Sequence, residues 1–563
     1  MTLLLVVAVA AVTLAVGTMG VRVVRSTDDF LLASRTISPG LNGAAVAGEY
    51  LSLASFLGIA GLVLQSGVGL LWYAVGFAAG FVALLIWVAG PLRRSGAYTV
   101  GDFVEGRLGS PALRRLTGAV VLLIGWLYLV PQFHGAGAIL QTTGGTPYWV
   151  GVVVAGAVTA LTVAVGGMRS ATYVQAFQYA VKLLFLAVPA VVLVLQAGSA
   201  LQADALYPER GTEFRQATDV RFLVDTEMRI TVPLTVRTDD GPVRWSPGTH
   251  RVPAGTMVVF PEGAPVPALA GTAPLGGPDW RRPLLNLSGT GHPLFETWSV
   301  LLATMLGTMG LPHILLRFHT SPTGRAARRT AVVTVGLLGA FYLFPGIYGL
   351  LGRLVTPELY LSGDTDSAAV VLPTAVLGPP WGPLLSGVVT AGAYTAFLSV
   401  SAGLLLTLAA GISHDLRTGS VRDLRLTVVA AAAFAVLLAL PAGRLDIGVL
   451  VGWAFTVAAS TLCPLLMLGL WWRGLTATGA GAGLVTGVVS SVGAGCASLF
   501  DLAGPGGWAK ILLMQPAAWT VPLVFATMVL VSRLGRPPAG AEDLLLSLHL
   551  PDADHTESPR NLG

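Results

Sequence analysis

The sequence predicts an all-α polytopic membrane protein of about thirteen transmembrane helices, arranged as an inverted repeat and carrying a small extracytoplasmic insert of β structure. Three observations predict it. Charged residues make up 11% of the 563 residues and hydrophobic ones 54%, whereas a soluble domain carries about 25% charged residues. Apolar runs of roughly 20 residues, each long enough to cross a hydrocarbon core of about 30 Å, recur along the chain. Two of the runs, five apart in order, are interrupted by Gly and Pro, the pattern that marks discontinuous helices in the two halves of an inverted repeat and a binding site near mid-membrane.

The apolar runs fall near residues 2–21, 41–67, 69–92, 116–140, 148–166, 172–197, 297–317, 330–352, 380–411, 426–442, 447–470, 476–499 and 512–532. The first run has no basic n-region before it and reads as a retained span instead of a cleaved leader. When loops are placed alternately, one side collects the arginines at 22–35, 93–115, 169, 325–329, 417–425, 473 and 533–536. Short loops on the other side hold only Arg353, Arg444 and Lys510. The positive-inside rule then puts the N-terminus outside and the C-terminus in the cytoplasm. Residues 1–197 hold spans one to six, and 297–536 hold spans seven to thirteen.

Residues 198–296 form the insert and 537–563 a cytoplasmic tail, expected to be disordered. In the insert, Arg221–Val224, Met228–Val236 and Thr256–Phe260 alternate apolar and β-branched residues around Asp239-Asp240-Gly241 and a Pro-Ala-Gly turn, which predicts a β-hairpin module. The broken runs are span two, with Gly43, Gly48, Gly58 and Gly61 beside Ser52 and Ser55, and span seven, with Gly307, Gly310 and Pro312. Spans two to six and seven to eleven would be the repeats.

An ionisable group in hydrocarbon costs a few kcal/mol or more, so it is retained for a reason. Glu49, beside Gly48, is the acid that falls well inside a span and is the candidate coupling residue. Arg317 and Lys182 are read as snorkelling towards the cytoplasmic side. His134 and His313 are read first as packing residues. Bases do not cluster into one face, so the formal charge of +5 implies no nucleic-acid partner. Cys463 and Cys496 exclude a disulfide framework. No G-x-x-x-x-G-K-[ST] stretch supports an ATP-driven pump, and a lone buried acid does not make an enzyme.

Four stretches resemble the sodium:solute symporter family: Ala47-Gly48-Glu49-Tyr50-Leu51-Ser52-Leu53-Ala54-Ser55-Phe56-Leu57-Gly58, Gly166-Gly167-Met168-Arg169-Ser170-Ala171-Thr172-Tyr173-Val174-Gln175, Gly310-Leu311-Pro312-His313-Ile314-Leu315-Leu316-Arg317-Phe318 and Ser413-His414-Asp415-Leu416. The Gly-Leu-Pro-His segment resembles the bacterial cation/acetate (monocarboxylate) branch. The resemblance implies thirteen spans on the LeuT-type inverted repeat and a sodium ion between spans two and nine. Its ligands would be the carbonyls of Gly48, Leu51 and Ala396 and the hydroxyl of Ser399. Many members have a second hydroxyl where this chain has Val400, and Ser401 is turned about 100° away around the helix.

The resemblance further implies a substrate site near Ser52, Ser55, Tyr73, Gln132, Gly310 and Pro312. Half-helix N-termini there would meet a carboxylate with unpaired N–H groups. The expected activity is uptake of acetate, propionate or a pyruvate-like anion with sodium as coupling ion and no other cofactor. Proton coupling is the alternative, and a membrane solute sensor of the same fold a distant one. Expected partners are the anion and the lipid bilayer, with no obligate protein partner. The expected location is a bacterial inner membrane.

Overall fold

The computed structural model describes the chain except residues 1, 19–25, 208–210, 271–273, 286–290, 417–419, 442–446, 501, 503, 505–506 and 551–563. Arg22, Arg25, Arg417 and Arg444 of the charge pattern lie outside the described residues.

Each of the thirteen apolar runs falls on helix. Among the described residues eight helices are long and apolar enough to cross a membrane, or ten with the two bent pairs; Val68–Trp87 and Pro111–Thr142 correspond to runs three and four, and the shorter apolar helix Thr2–Thr18 to run one. Tyr148–Gln196, two helices joined end to end at a kink, supplies spans five and six. Gly167 interrupts it at φ 55°, ψ −149°, in a region where a side chain is strained. There the chain passes the Phe30 backbone, whose carbonyl oxygen would lie 2.7 Å from an added Cβ. The second half then runs through the core. Spans seven to thirteen follow as Pro293–His319, Gly324–Val355, Trp381–Asp415, Val421–Ala439, Leu450–Trp471, Ala477–Leu499 and the bent pair Trp508–Met514 with Ala517–Arg533.

Span two is broken as expected: Pro39–Tyr50 and Ala54–Ser66 meet at 72°. Span seven is less broken than expected. Only Leu311 leaves helical geometry (φ −68°, ψ 115°), and Pro312–His319 continues the crossing. Proline at 312 removes one donor and crowds the preceding turn, which accounts for a one-residue interruption. Span nine is the central column. From Val389 to Ala410 every residue is buried, and a helix that is apolar all round belongs inside a bundle.

The insert is more than a hairpin. Strands β1 (Thr218–Arg221), β2 (Thr226–Ile230), β3 (Leu234–Thr238), β4 (Gly241–Trp245), β5 (Gly248–Val252), β6 (Met257–Phe260) and β7 (Ala268–Leu269) form two antiparallel sheets, ordered β1-β6-β3-β4 and β5-β2-β7. The run read as one strand, Met228–Val236, is two, because Pro233 cannot donate to a ladder. Thr238 pairs with Gly241 across Asp239-Asp240, as the turn chemistry suggests. The module is fastened to the helices through Arg353, which donates to Thr212 Oγ1 at 3.0 Å and lies over the Trp280 ring. Trp280 Nε1 in turn donates to the Leu64 carbonyl at the end of span two.

The tail also departs from expectation. Ala541–His549 is helical, and the Leu548 carbonyl accepts from Arg94 at 3.1 Å while His549 packs edge-on against Trp471. Leu545 and Leu548, three apart, give it the apolar stripe that a docked helix needs. Residues 551–563 lie outside the described residues.

Candidate functional site

Breaking span two at Leu51 frees backbone carbonyls that a continuous helix would use. The Leu51 N–H still reaches the Ala47 carbonyl at 3.1 Å, but Ser52 N–H turns back to Tyr50. The Gly48 and Leu51 carbonyls are left facing spans six and nine. Gly48 is required here: an added Cβ would stand 2.1 Å from the Gln175 carbonyl of span six. Opposite, Ser399 Oγ lies 2.8 Å from the Gly48 carbonyl and 3.1 Å from the Ala396 carbonyl. Three of the expected cation ligands, Gly48, Leu51 and Ser399, therefore converge, and Ala396 joins them through the Ser399 hydroxyl. Val400 is buried beside them and Ser401 Oγ has no hydrogen-bond partner among the described residues.

The seat they make is filled by the protein's own cation. Lys182 Nζ donates to the carbonyls of Gly48 and Leu51, the latter at 2.8 Å, and to Ser399 Oγ. Lys182 is 0% exposed. Its snorkelling reading is corrected: the stem runs inward across the bundle, and its three protons find the three oxygens that the helix break exposes.

Arg317 is corrected likewise. It is buried, with Nε donating to Glu49 Oε2 at 2.6 Å, one terminal nitrogen to Thr172 Oγ1 at 2.7 Å and the other to Gln175 Oε1. Gln175 Nε2 closes the network on the Ser399 carbonyl at 2.8 Å. Glu49 is thus an ion-pair partner, as well as the charged group that acts on Lys182. Removing a charge from water costs several kcal/mol unless a partner answers it. Here Arg317 answers Glu49, and the broken helix answers Lys182.

Next to this seat the chain builds a buried aromatic cluster. Tyr50 meets Phe81 edge-on at 4.7 Å and Phe77 at 5.8 Å, while Phe77 contacts Tyr73, Tyr342 and Phe455. Tyr128 joins through Phe455 and His313. Hydroxyls are set among the rings: Tyr50 with Thr308 at 2.6 Å, Ser55 with Tyr342 at 3.0 Å, and Ser52 with Tyr128. Gln132 donates to the Tyr128 carbonyl, and its Oε1 has no partner among the described residues. Ser52, Ser55, Tyr73 and Gln132 therefore border one aromatic cluster. Gly310 acts differently, letting the backbone pass Ala458, whose carbonyl would lie 2.4 Å from a Cβ. Pro312 borders the small gap with Thr99, Leu316 and Asp415 towards the arginine-rich end.

His313 is buried, and neither ring nitrogen has a hydrogen-bond partner among the described residues. His134 behaves as a packing residue, bonded to the Tyr148 hydroxyl at 2.7 Å. The Ser413–Leu416 stretch serves the arginine-rich end of the bundle. Asp102 accepts from His414 at 2.8 Å and from Arg114 at 3.0 Å, and Asp415 accepts from Thr99 at 2.6 Å. These contacts tie the end of span nine to helix Val100–Leu108 and the foot of span four. Burial alone would raise Asp102; His414, Arg114 and the Tyr98 N–H outweigh it and hold the carboxyl below its usual range.

A bundle of membrane-crossing helices with a discontinuous helix, an oxygen seat for a cation and an adjoining buried aromatic cluster fits a secondary transporter of LeuT-type fold. The sodium:solute symporter family matches residues 30–214 and 285–487, and the chain belongs to it. It is a multi-pass membrane transporter and not an enzyme, and its family supports cation-coupled symport with sodium as the usual ion. Among solved structures it is similar to a Na+-coupled sialic acid symporter, substrate-bound and outward-open. That likeness has TM-score 0.64 at 12% identity and covers 95% of this chain and 98% of the other. It also matches MhsT in complex with L-phenylalanine, at TM-score 0.49 and 15% identity over 88% and 99%.

Thr172 and Gln175 were given no role by reading the sequence. They recur with Lys182 at helical spacing, a polar stripe on an apolar span, and that signal was available. The aromatic cluster draws its rings from six different spans and leaves no local pattern.

Proposed function

We propose that this chain takes up a short-chain monocarboxylate, such as acetate, propionate or pyruvate, by symport with a cation. One observation carries the substrate class. His313, in the Gly-Leu-Pro-His stretch, is buried against Tyr128 with both ring nitrogens unanswered, and an unpaired buried polar group is costly unless a ligand answers it. A carboxylate beside Ser52, Tyr128 and His313 would accept hydrogen bonds from all three. The rings of Tyr50, Phe77, Phe81 and Phe455 beside them are apolar, which suits a methyl or ethyl group.

Family membership supports sodium at Gly48, Leu51, Ala396 and Ser399, with Glu49 holding Arg317 in the coupling network. The presence of Lys182 in that seat favours a second reading, the proton. In a bacterial inner membrane the N-terminus would lie outside, with the insert external and the tail cytoplasmic. Uptake of labelled pyruvate into proteoliposomes tests the substrate class. Acetate and propionate are expected to compete, and inhibition by proline or a sugar at similar concentrations would refute it.

A further inference from the structure

The cation seat is complete without any ion from solution, because the chain supplies one. We propose that Lys182 is the coupling residue: its ammonium takes the place of sodium, and the ion that crosses with the substrate is the proton on its Nζ. The inference rests on the symport reading above and names the ion for that site.

Geometry carries it. An ammonium presents three N–H donors, and the structure gives Lys182 three acceptors, the Gly48 and Leu51 carbonyls and Ser399 Oγ. These are the oxygens a hard cation would need. Two positive charges cannot share one seat at hydrogen-bond distances: at 4 Å and an effective dielectric of 20 their repulsion is already about 4 kcal/mol. Nor is the side chain placed there by an ion pair. Of the charged groups on the packed elements, Glu49 of span two is the one that acts on it, and Glu49 is bonded to Arg317 of span seven. Helices Thr2–Thr18 and Trp381–Ala410 carry no charged side chain at all. What holds the ammonium is the broken helix.

An amine differs from sodium in that it can be discharged without leaving. With the site open outward, the neutral amine takes a proton from external water, forming the third N–H bond of the ammonium. Seated on the three oxygens, the ammonium pins span two to spans six and nine, which is the closed arrangement seen here. When the site opens inward, an N–H bond breaks, the proton passes to cytoplasmic water and the neutral amine resets the cycle. One proton accompanies one monocarboxylate, so the step moves no net charge.

Purified protein in lipid nanodiscs tests the seat directly by equilibrium binding of sodium-22, with no substrate present. Wild type is expected to bind none saturably, and Lys182→Ala to gain saturable binding. Saturable binding by wild type that Ser399→Ala weakens would overturn the proposal, even if the lysine variant does not fold. In proteoliposomes with choline in place of sodium, an acid-outside gradient should drive pyruvate accumulation in wild type. In Lys182→Ala that response should vanish, while its gained sodium-22 binding shows that the variant is folded. Accumulation that needs sodium at fixed pH would also overturn it. Absence of wild-type counterflow would instead refute the substrate reading and leave the sodium-22 result to decide the seat.

Discussion

Replacing Arg317 by Met should be among the most destabilising changes in the chain, and most of the damage should disappear when Glu49→Gln is added. Arg317 is 1% exposed and makes three side-chain bonds, to Glu49, Thr172 and Gln175. Removing it takes from the buried Glu49 carboxylate its ion-pair partner and its charged donor, leaving the neutral Gln175 side chain and the more distant Lys182 charge to answer it. Breaking a buried pair by deleting one member costs about 3–5 kcal/mol, much more than replacing both members with neutral ones. The coupling energy between the two sites should therefore be at least about 1–2 kcal/mol. Cys463 is buried and Cys496 exposed, so unfolding can be followed by the reaction of a thiol dye with Cys463 above the constant background of Cys496. Melting of wild type, both single variants and the double variant in one detergent closes the cycle. Additive effects of the two replacements would show that the pair is a contact without consequence and would refute the reasoning.

Three further outcomes are expected. Gly48→Ala should abolish transport and lower the melting temperature, because its Cβ would overlap the Gln175 carbonyl; wild-type uptake would contradict the close approach of spans two and six. Asp102 is held below its usual range by His414 and Arg114, so its contribution is present above about pH 4 and is lost as pH falls through the lower folded value. Melting of wild type across that acid limb should show this loss, and Asp102→Asn should flatten it; an unchanged slope would contradict it. Residues 198–296 are expected outside, so a cysteine at Thr218 in a cysteine-free background should react with an impermeant reagent in right-side-out vesicles. Reaction only in inverted vesicles would reverse the topology.

The helices were legible because each needs only a sustained apolar run, and the break in span two because Gly48 stands beside Ser52 and Glu49. The single-residue interruption at Leu311 was overread, since a proline next to glycines signals a break but not its size. The tail helix was missed because nine residues that include Glu542, Asp543, Ser547 and His549 look solvated until Trp471 and Arg94 give Leu545 and Leu548 something to cover. Lys182 and Arg317 were misjudged for one shared reason. A long basic side chain near a helix end can reach either water or the core, and only the placement of its acceptors decides which. The cation ligands could be named from the broken helix and Ser399, but the group that fills them comes from span six, more than 130 residues from Gly48. Such a meeting is tertiary and leaves no trace in either local stretch.

Concentrative uptake of labelled pyruvate by proteoliposomes is the most direct test of symport itself. A tenfold inward gradient of the coupling cation supplies about 1.4 kcal/mol, enough for roughly tenfold accumulation in a one-to-one electroneutral step. Accumulation approaching that ratio, collapsing when an ionophore dissipates the cation gradient, is the expected result. Entry that stops at equal concentrations on both sides under sodium and proton gradients alike would contradict a cation-coupled symporter.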